Sequence, residues 1–174
     1  MLKKVVFVLY RKIISFVNYF DAGKYTRLYS DALKKMGVQI EKYPKYIDPS
    51  VWIDGTGYNI ISIGKDSVLS RDVVLLTHDY SIARGMQAAN LLDLSSGKDT
   101  YFLQGITIGN NCFIGARAIL LPGTVLEDNC IIGAGSVVKG RIKKNSIVAG
   151  NPAKTLGDTI EWAEKKARYA QLEK

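Results

Sequence analysis

The chain of 174 residues holds one histidine, two cysteines and four prolines. A single histidine rules out a His-rich metal centre built within one chain, and two cysteines cannot make the multi-bridge framework of small secreted domains. Long apolar runs are also missing. The first, Val5–Tyr10, stops at Arg11-Lys12, far short of the ~20 apolar residues of a membrane-spanning helix, and no small-residue cleavage site follows it as in a signal peptide. Neither a phosphate-binding loop, a dinucleotide fingerprint, zinc-ligand spacing nor a nucleophile elbow is found. What is present is 47% hydrophobic and 23% charged residues, enough apolar material for one packed domain and too much for wholesale disorder. The composition predicts a reduced cytoplasmic protein.

Charge is unevenly spread. Residues 1–46 hold ten Lys/Arg and three Asp/Glu, a net of +7, whereas residues 47–174 hold fourteen and thirteen, a net of +1. The basic segment predicts either attraction to an anionic partner, such as the inner face of a membrane, or a solvated helix face. No aromatic-basic recognition motif accompanies it, so nucleic acid is not expected. Ile13, Phe16, Val17 and Phe20 fall at the spacing of one helical face, which predicts a helix lying on a membrane or packed on protein.

A repeat dominates the rest. An aliphatic residue recurs every six positions at Ile108, Ile114, Leu120, Leu126, Ile132 and Val138. Four residues after each comes Cys112, Ala118, Thr124, Cys130, Ser136 or Ile142, small in five cases of six. Neither an α-helix nor an ordinary strand has a period of six. A longer period of eighteen aligns Asn111-Cys112-Phe113-Ile114-Gly115-Ala116 with Asn129-Cys130-Ile131-Ile132-Gly133-Ala134. Three hexapeptides, each a short strand and a corner, would close one triangular coil, and coils would stack at the ~4.8 Å strand spacing. The prediction is an all-β fold, a parallel β-helix with Cys112 and Cys130 one above the other as small core residues. An earlier block at Ile63, Leu69 and Leu75 is out of phase with Ile108. Something therefore interrupts the winding over residues 81–104, and an irregular excursion of that length is usually functional. The expected organisation is a basic helical segment 1–46, a β-helix 47–156 and a C-terminal helix 157–174, started by the capping-box spacing of Asp158 and Glu161.

The solitary His78, in Thr77-His78-Asp79-Tyr80 at the entrance to that excursion, is the candidate general base, since an imidazole can take a proton from a hydroxyl near neutral pH. The segments Ile-Gly-Asn-Asn-Cys-Phe-Ile-Gly-Ala-Arg-Ala (108–118), Ile-Gly-Ala-Gly-Ser-Val-Val (132–138) and Val-Ala-Gly-Asn-Pro-Ala-Lys (148–154), with the His78 segment, resemble the hexapeptide-repeat acyltransferases. The likeness is strongest to the sugar O-acetyltransferases of bacterial surface-polysaccharide clusters, relatives of the galactoside, maltose and serine acetyltransferases.

The resemblance implies left-handed winding, a homotrimer with active sites between subunits, acetyl-CoA as donor, and a sugar, nucleotide-sugar or glycan acceptor. It maps the catalytic histidine to His78 and the backbone contacts of the pantetheine arm to Ala116 and Ala134. The apolar wall maps to Phe113, and further acetyl-CoA contacts map to Lys139, Gly140 and Lys154. A Thr-Lys step in the family stands here as Lys139-Gly140, which displaces the cation by one position. Asp79 and Asp72 are candidates for orienting His78 or binding the acceptor. No metal is implied. The expected reaction is direct acetyl transfer to a sugar hydroxyl, with N-acetylation of an amino sugar or a non-catalytic β-helix as alternatives; a carbonic-anhydrase-like β-helix would need more histidines than the chain has.

Overall fold

A computed structural model describes residues 2–91 and 99–170. Its centre is a triangular prism of short parallel strands. The first face stacks β1 (Tyr46–Ile47), β4 (Val68–Leu69), β9 (Phe113–Ile114), β12 (Ile131–Ile132) and β15 (Ser146–Gly150). The second stacks β2 (Trp52–Ile53), β5 (Val74–Leu75), β10 (Ile119–Leu120) and β13 (Val137–Val138). The third stacks β3 (Ile61–Ile63), β8 (Ile106–Ile108), β11 (Val125–Leu126) and β14 (Arg141–Ile142).

Register explains the period of six. A two-residue strand turns one side chain in and one out, so only one residue per hexapeptide must be aliphatic. Ile47, Leu69, Ile114, Ile132 and Val148 align as direct partners up the first face, and all are buried. The small residues Cys112, Ala118, Thr124, Cys130 and Ser136 fill the corners and are equally buried. Both thiols are free, and hydrogen bonding to Cys130 together with burial pushes the Cys112 thiol up, so it is no nucleophile at neutral pH. At the corner between the third and first faces the chain turns through left-handed conformations at Asn111, Asn129 and Asn145, which asparagine tolerates better than most residues. Their amides form a ladder, Asn111 Nδ2 donating to Asn129 Oδ1 at 3.0 Å and Asn129 Nδ2 to Asn145 Oδ1 at 2.8 Å.

Coils this close leave no room for added atoms at some corners. A Cβ on Gly115 would stand 2.5 Å from the backbone nitrogen of Ala134 and 2.7 Å from the carbonyl of Ile132. Gly115→Ala should therefore lower stability by about 1–3 kcal/mol, read as an earlier denaturant midpoint with an unchanged slope.

Three features depart from the simple repeat. Ile142 is not a corner residue but the inward aliphatic of β14, aligned with Leu126, because the corner at Gly140 (φ 80°) is shorter than the others. The excursion is not wholly irregular: it contains α3 (Ser81–Ala88), and a two-stranded base forms where β6 (His78–Asp79) pairs antiparallel with β7 (Phe102–Leu103). Stacking also begins before Ile47, with Gln39 bridged to Ser62.

Helices cover the N-terminal end of the prism. Helices α1 (Leu2–Ser15) and α2 (Ala22–Met36) pack together. The buried face of α2, including Tyr25, Tyr29 and Leu33, joins the same core as Ile47, Val51 and Ile61. Inward from α1 point Phe7 and Ile14, so the face of Ile13, Phe16 and Phe20 does not pack on this chain's own core. Ile13, Phe16 and Phe20 are exposed, and Val17 alone of that set packs against the core. At the other end, β16 (Ala153–Asp158) folds back antiparallel on β15. Then α4 (Thr159–Lys166) starts at Asp158, whose Oδ1 accepts from the amides of Ile160 and Glu161 at 2.7 and 3.1 Å.

Candidate active site

The edge between the second and third faces is where the repeat is irregular. After β2 the chain takes residues 54–60 to reach β3, and after β5 it makes the whole excursion before β8. These two enlarged corners are neighbours in the stack, since β2 pairs with β5 and β3 with β8. Asp54 and Thr56 from the upper corner thus meet Thr77 and His78 from the lower one.

Asp54 is 3% exposed and collects donors. Its Oδ2 accepts from Thr77 Oγ1 at 2.6 Å and from the Thr77 amide at 3.2 Å. Its Oδ1 accepts from Thr56 Oγ1 at 2.9 Å and the Thr56 amide at 3.0 Å. His78 Nδ1 completes the set with a hydrogen bond to Asp54 Oδ2. Burial pushes the carboxyl up, but the hydrogen bonds from Thr77, His78 and Thr56 outweigh it and hold the group at about 2. An ionised Asp54 can only accept, so Nδ1 carries the proton of a neutral ring and Nε2 is left as the basic nitrogen. The His78 side chain is 23% exposed, and its ring meets Tyr80 and Tyr101 edge-on, with centroids at 5.2 and 6.3 Å. A base with a fixed tautomer beside two aromatic rings suits proton abstraction from a bound hydroxyl.

The hydrogen bond that orients His78 therefore comes from Asp54, a residue the sequence reading did not single out. Asp79 instead accepts from the Ser81 amide at 2.8 Å, and hydrogen bonding to Ser81 holds its carboxyl below the usual range. It still borders the same edge. A cavity of about 270 Å³ opens there between Leu76, Asp79, Phe102, Gln104, Pro122 and Lys139. Asp72 lies elsewhere, at the corner of the first and second faces, with its Oδ2 3.7 Å from Arg117 Nε.

That other corner gathers most of the expected donor contacts. Ala116 is half-buried and Ala134 exposed at the same place in successive coils, and the Gly135 amide donates to the Ala116 carbonyl at 2.8 Å. Among the described residues, neither the Ala116 nor the Ala134 amide has a protein acceptor. The two therefore present spare N–H donors along the prism axis, as an extended amide-bearing arm would require. Phe113 is exposed on the first face just before this corner, and Lys154, paired with Ala149 across the terminal hairpin, lies at its far end. Lys139 and Gly140 are not part of this set. They turn the His78 edge, and Lys139 lines the cavity beside Asp79. Within one chain the second face separates the alanine strip from His78.

Comparison with known proteins agrees with this architecture. Residues 105–139 match a family model described as the hexapeptide repeat of succinyl-transferase. The chain is 34% identical over 139 residues to Protein CapG of Staphylococcus aureus, a match covering 80% of this chain and 76% of CapG. It belongs to the hexapeptide-repeat acyltransferase family. A shorter match, 27% identical over 96 residues, covers 55% of this chain and 49% of WbbJ from Escherichia coli (strain K12), whose name gives lipopolysaccharide-biosynthesis O-acetyl transfer as a provisional assignment. Among solved structures, a galactoside acetyltransferase in complex with coenzyme A superposes with a TM-score of 0.57 at 20% identity, over 90% of this chain and 82% of that one. A maltose O-acetyltransferase from Clostridium difficile 630 gives 0.55 at 19%, over 88% of each. With this family the prism is a left-handed β-helix.

Proposed function

We propose that this chain transfers an acetyl group from acetyl-CoA to a hydroxyl of a saccharide used in building surface polysaccharide. The observation that carries the reading is the pairing of buried Asp54 with half-buried His78, which leaves Nε2 as a base on the same prism edge as the cavity beside Asp79. That cavity combines an aromatic side, Phe102, with hydrogen-bonding groups on Asp79, Gln104 and Lys139, a combination that suits one sugar ring. The name of the WbbJ relative supports a role in surface glycans, and the free amides of Ala116 and Ala134 support a pantetheine donor.

His78 Nε2 takes the proton of the acceptor hydroxyl as its oxygen attacks the thioester carbonyl. The carbon–sulfur bond breaks, and the imidazolium returns the proton to the departing thiolate. Backbone N–H groups in the cleft steady the negative charge that develops on the carbonyl oxygen. No acyl-enzyme is required, since both substrates are held in one cleft. Because His78 and the alanine strip stand on different edges, a neighbouring copy supplies the strip that faces each His78, and the working unit is a homotrimer.

The test is thiol release from acetyl-CoA with a panel of hydroxyl and amino sugars, free and nucleotide-linked. Acetylation confined to amino groups, or none on any saccharide, would reject the reading. Ala134→Glu provides a separate check on the donor strip. The residue is exposed, so the fold should persist, while the carboxylate obstructs the arm. KM for acetyl-CoA should rise about tenfold or more with kcat little changed, the pattern of lost uniform binding.

A further inference from the structure

The N-terminal helix is apolar on two opposite sides, and packing accounts for only one. Its inner side is fixed. Phe7 and Ile14 are buried, Arg11 donates from Nη2 to the carbonyls of Pro49 and Val51 at 2.6 Å each, and Lys4 Nζ donates to the Gly55 carbonyl at 2.8 Å. The outer side carries Leu2, Val5, Leu9, Ile13 and Phe16, continued by Phe20 beyond the 3₁₀ turn Phe16–Tyr19. Ile13, Phe16 and Phe20 are 71%, 66% and 78% exposed, and the rings of Phe16 and Phe20 touch at 5.3 Å. A helix with apolar residues on both sides needs something to cover each. Since Arg11 and Lys4 tie the inner side to the prism, rolling the helix cannot bury the outer one.

We propose that this outer face docks on an anionic lipid surface. Charge selects the occupant. No Asp or Glu occurs before Asp21, and while Lys4 and Arg11 of that stretch are engaged on the inner side, Lys12 is exposed beside the apolar face. An acid-free face with exposed Lys12 at its flank is complementary to lipid phosphates. Against its own copy, two-fold contact would set like charges together. Among the described residues no helix is long and apolar enough to cross a membrane, so the helix lies in the interface plane, with Ile13, Phe16 and Phe20 entering the acyl boundary.

The experiment is flotation of the full chain with vesicles of phosphatidylcholine alone or mixed with phosphatidylglycerol. Binding is expected only to the mixed vesicles, weakening as salt rises. In Ile13→Glu/Phe16→Glu it should fall about tenfold or more, with the thermal midpoint and the mass in solution unchanged. Should that pair lower the thermal midpoint, the milder Phe20→Ser serves the same reading. Equal flotation of wild type and a folded variant, or none by wild type on anionic vesicles, overturns the proposal. A change of oligomer mass in a folded variant also overturns it, by assigning the face to a second copy of the chain.

Discussion

Replacing His78 by alanine is expected to lower kcat for acetyl transfer by about 10²–10⁴-fold, the loss usual for a missing general base. The fold should survive. His78 contributes one of five hydrogen bonds that reach the Asp54 carboxylate, and the other four, from Thr56 and Thr77, do not involve the ring. KM for acetyl-CoA should change little, because the alanine amides lie on another edge of the prism, which in the proposed trimer reaches each His78 from a neighbouring chain. Thiol release at saturating donor and acceptor, set beside the thermal midpoint, reads both quantities. A variant folded like wild type that keeps kcat within about threefold would remove His78 from the chemistry and leave the proposed mechanism without a base.

The coils were legible because their signals are periodic. Six inward aliphatics at a spacing of six, and the near-identity of residues 111–116 with 129–134, fixed which residues face in and which stand one above another. The same stacking placed Ala116 and Ala134 on one edge. What escaped was local irregularity. Asp54 follows the inward Ile53 of β2 just as Leu76-Thr77-His78 follows the inward Leu75 of β5, so stacking the first coil on the second would have brought them together. The ten-residue step from Ile53 to Ile63 hid that relation. Asp79 and Asp72 drew attention as neighbours of His78 in sequence, whereas its hydrogen-bond partner is its neighbour along the prism. The outward turn of Ile13, Phe16 and Phe20 was hidden for a different reason. An apolar helical face declares that it wants cover, but not whether the cover lies within the same chain.

Asp54→Asn should affect both activity and acid stability, and the two effects have one origin. Asparagine keeps the shape but has one accepting oxygen, and its NH₂ group cannot receive from Thr77, Thr56 or His78. If that NH₂ faces Nδ1, the ring proton moves to Nε2 and the base is lost. A fall in kcat of about 10²–10³-fold is expected, on the logic that a mis-set tautomer disables an otherwise intact imidazole. The stability effect follows from the depressed carboxyl, which stands at about 2 against an ordinary 3.8. A group depressed on folding stabilises the protein fully above its unfolded value, and that contribution disappears as pH falls through the folded value. At one unit per ~1.4 kcal/mol, the wild-type carboxylate contributes about 2–3 kcal/mol at neutral pH. Asp54→Asn should lose roughly that amount at pH 7, and its stability should respond less than that of wild type between about pH 4 and pH 2. Denaturant midpoints across that window separate a positioning role from a merely structural one when read with kcat. Asp54→Asn with a wild-type acid profile and wild-type kcat would show that the hydrogen bond to His78 neither sets the ring nor holds the two enlarged corners together.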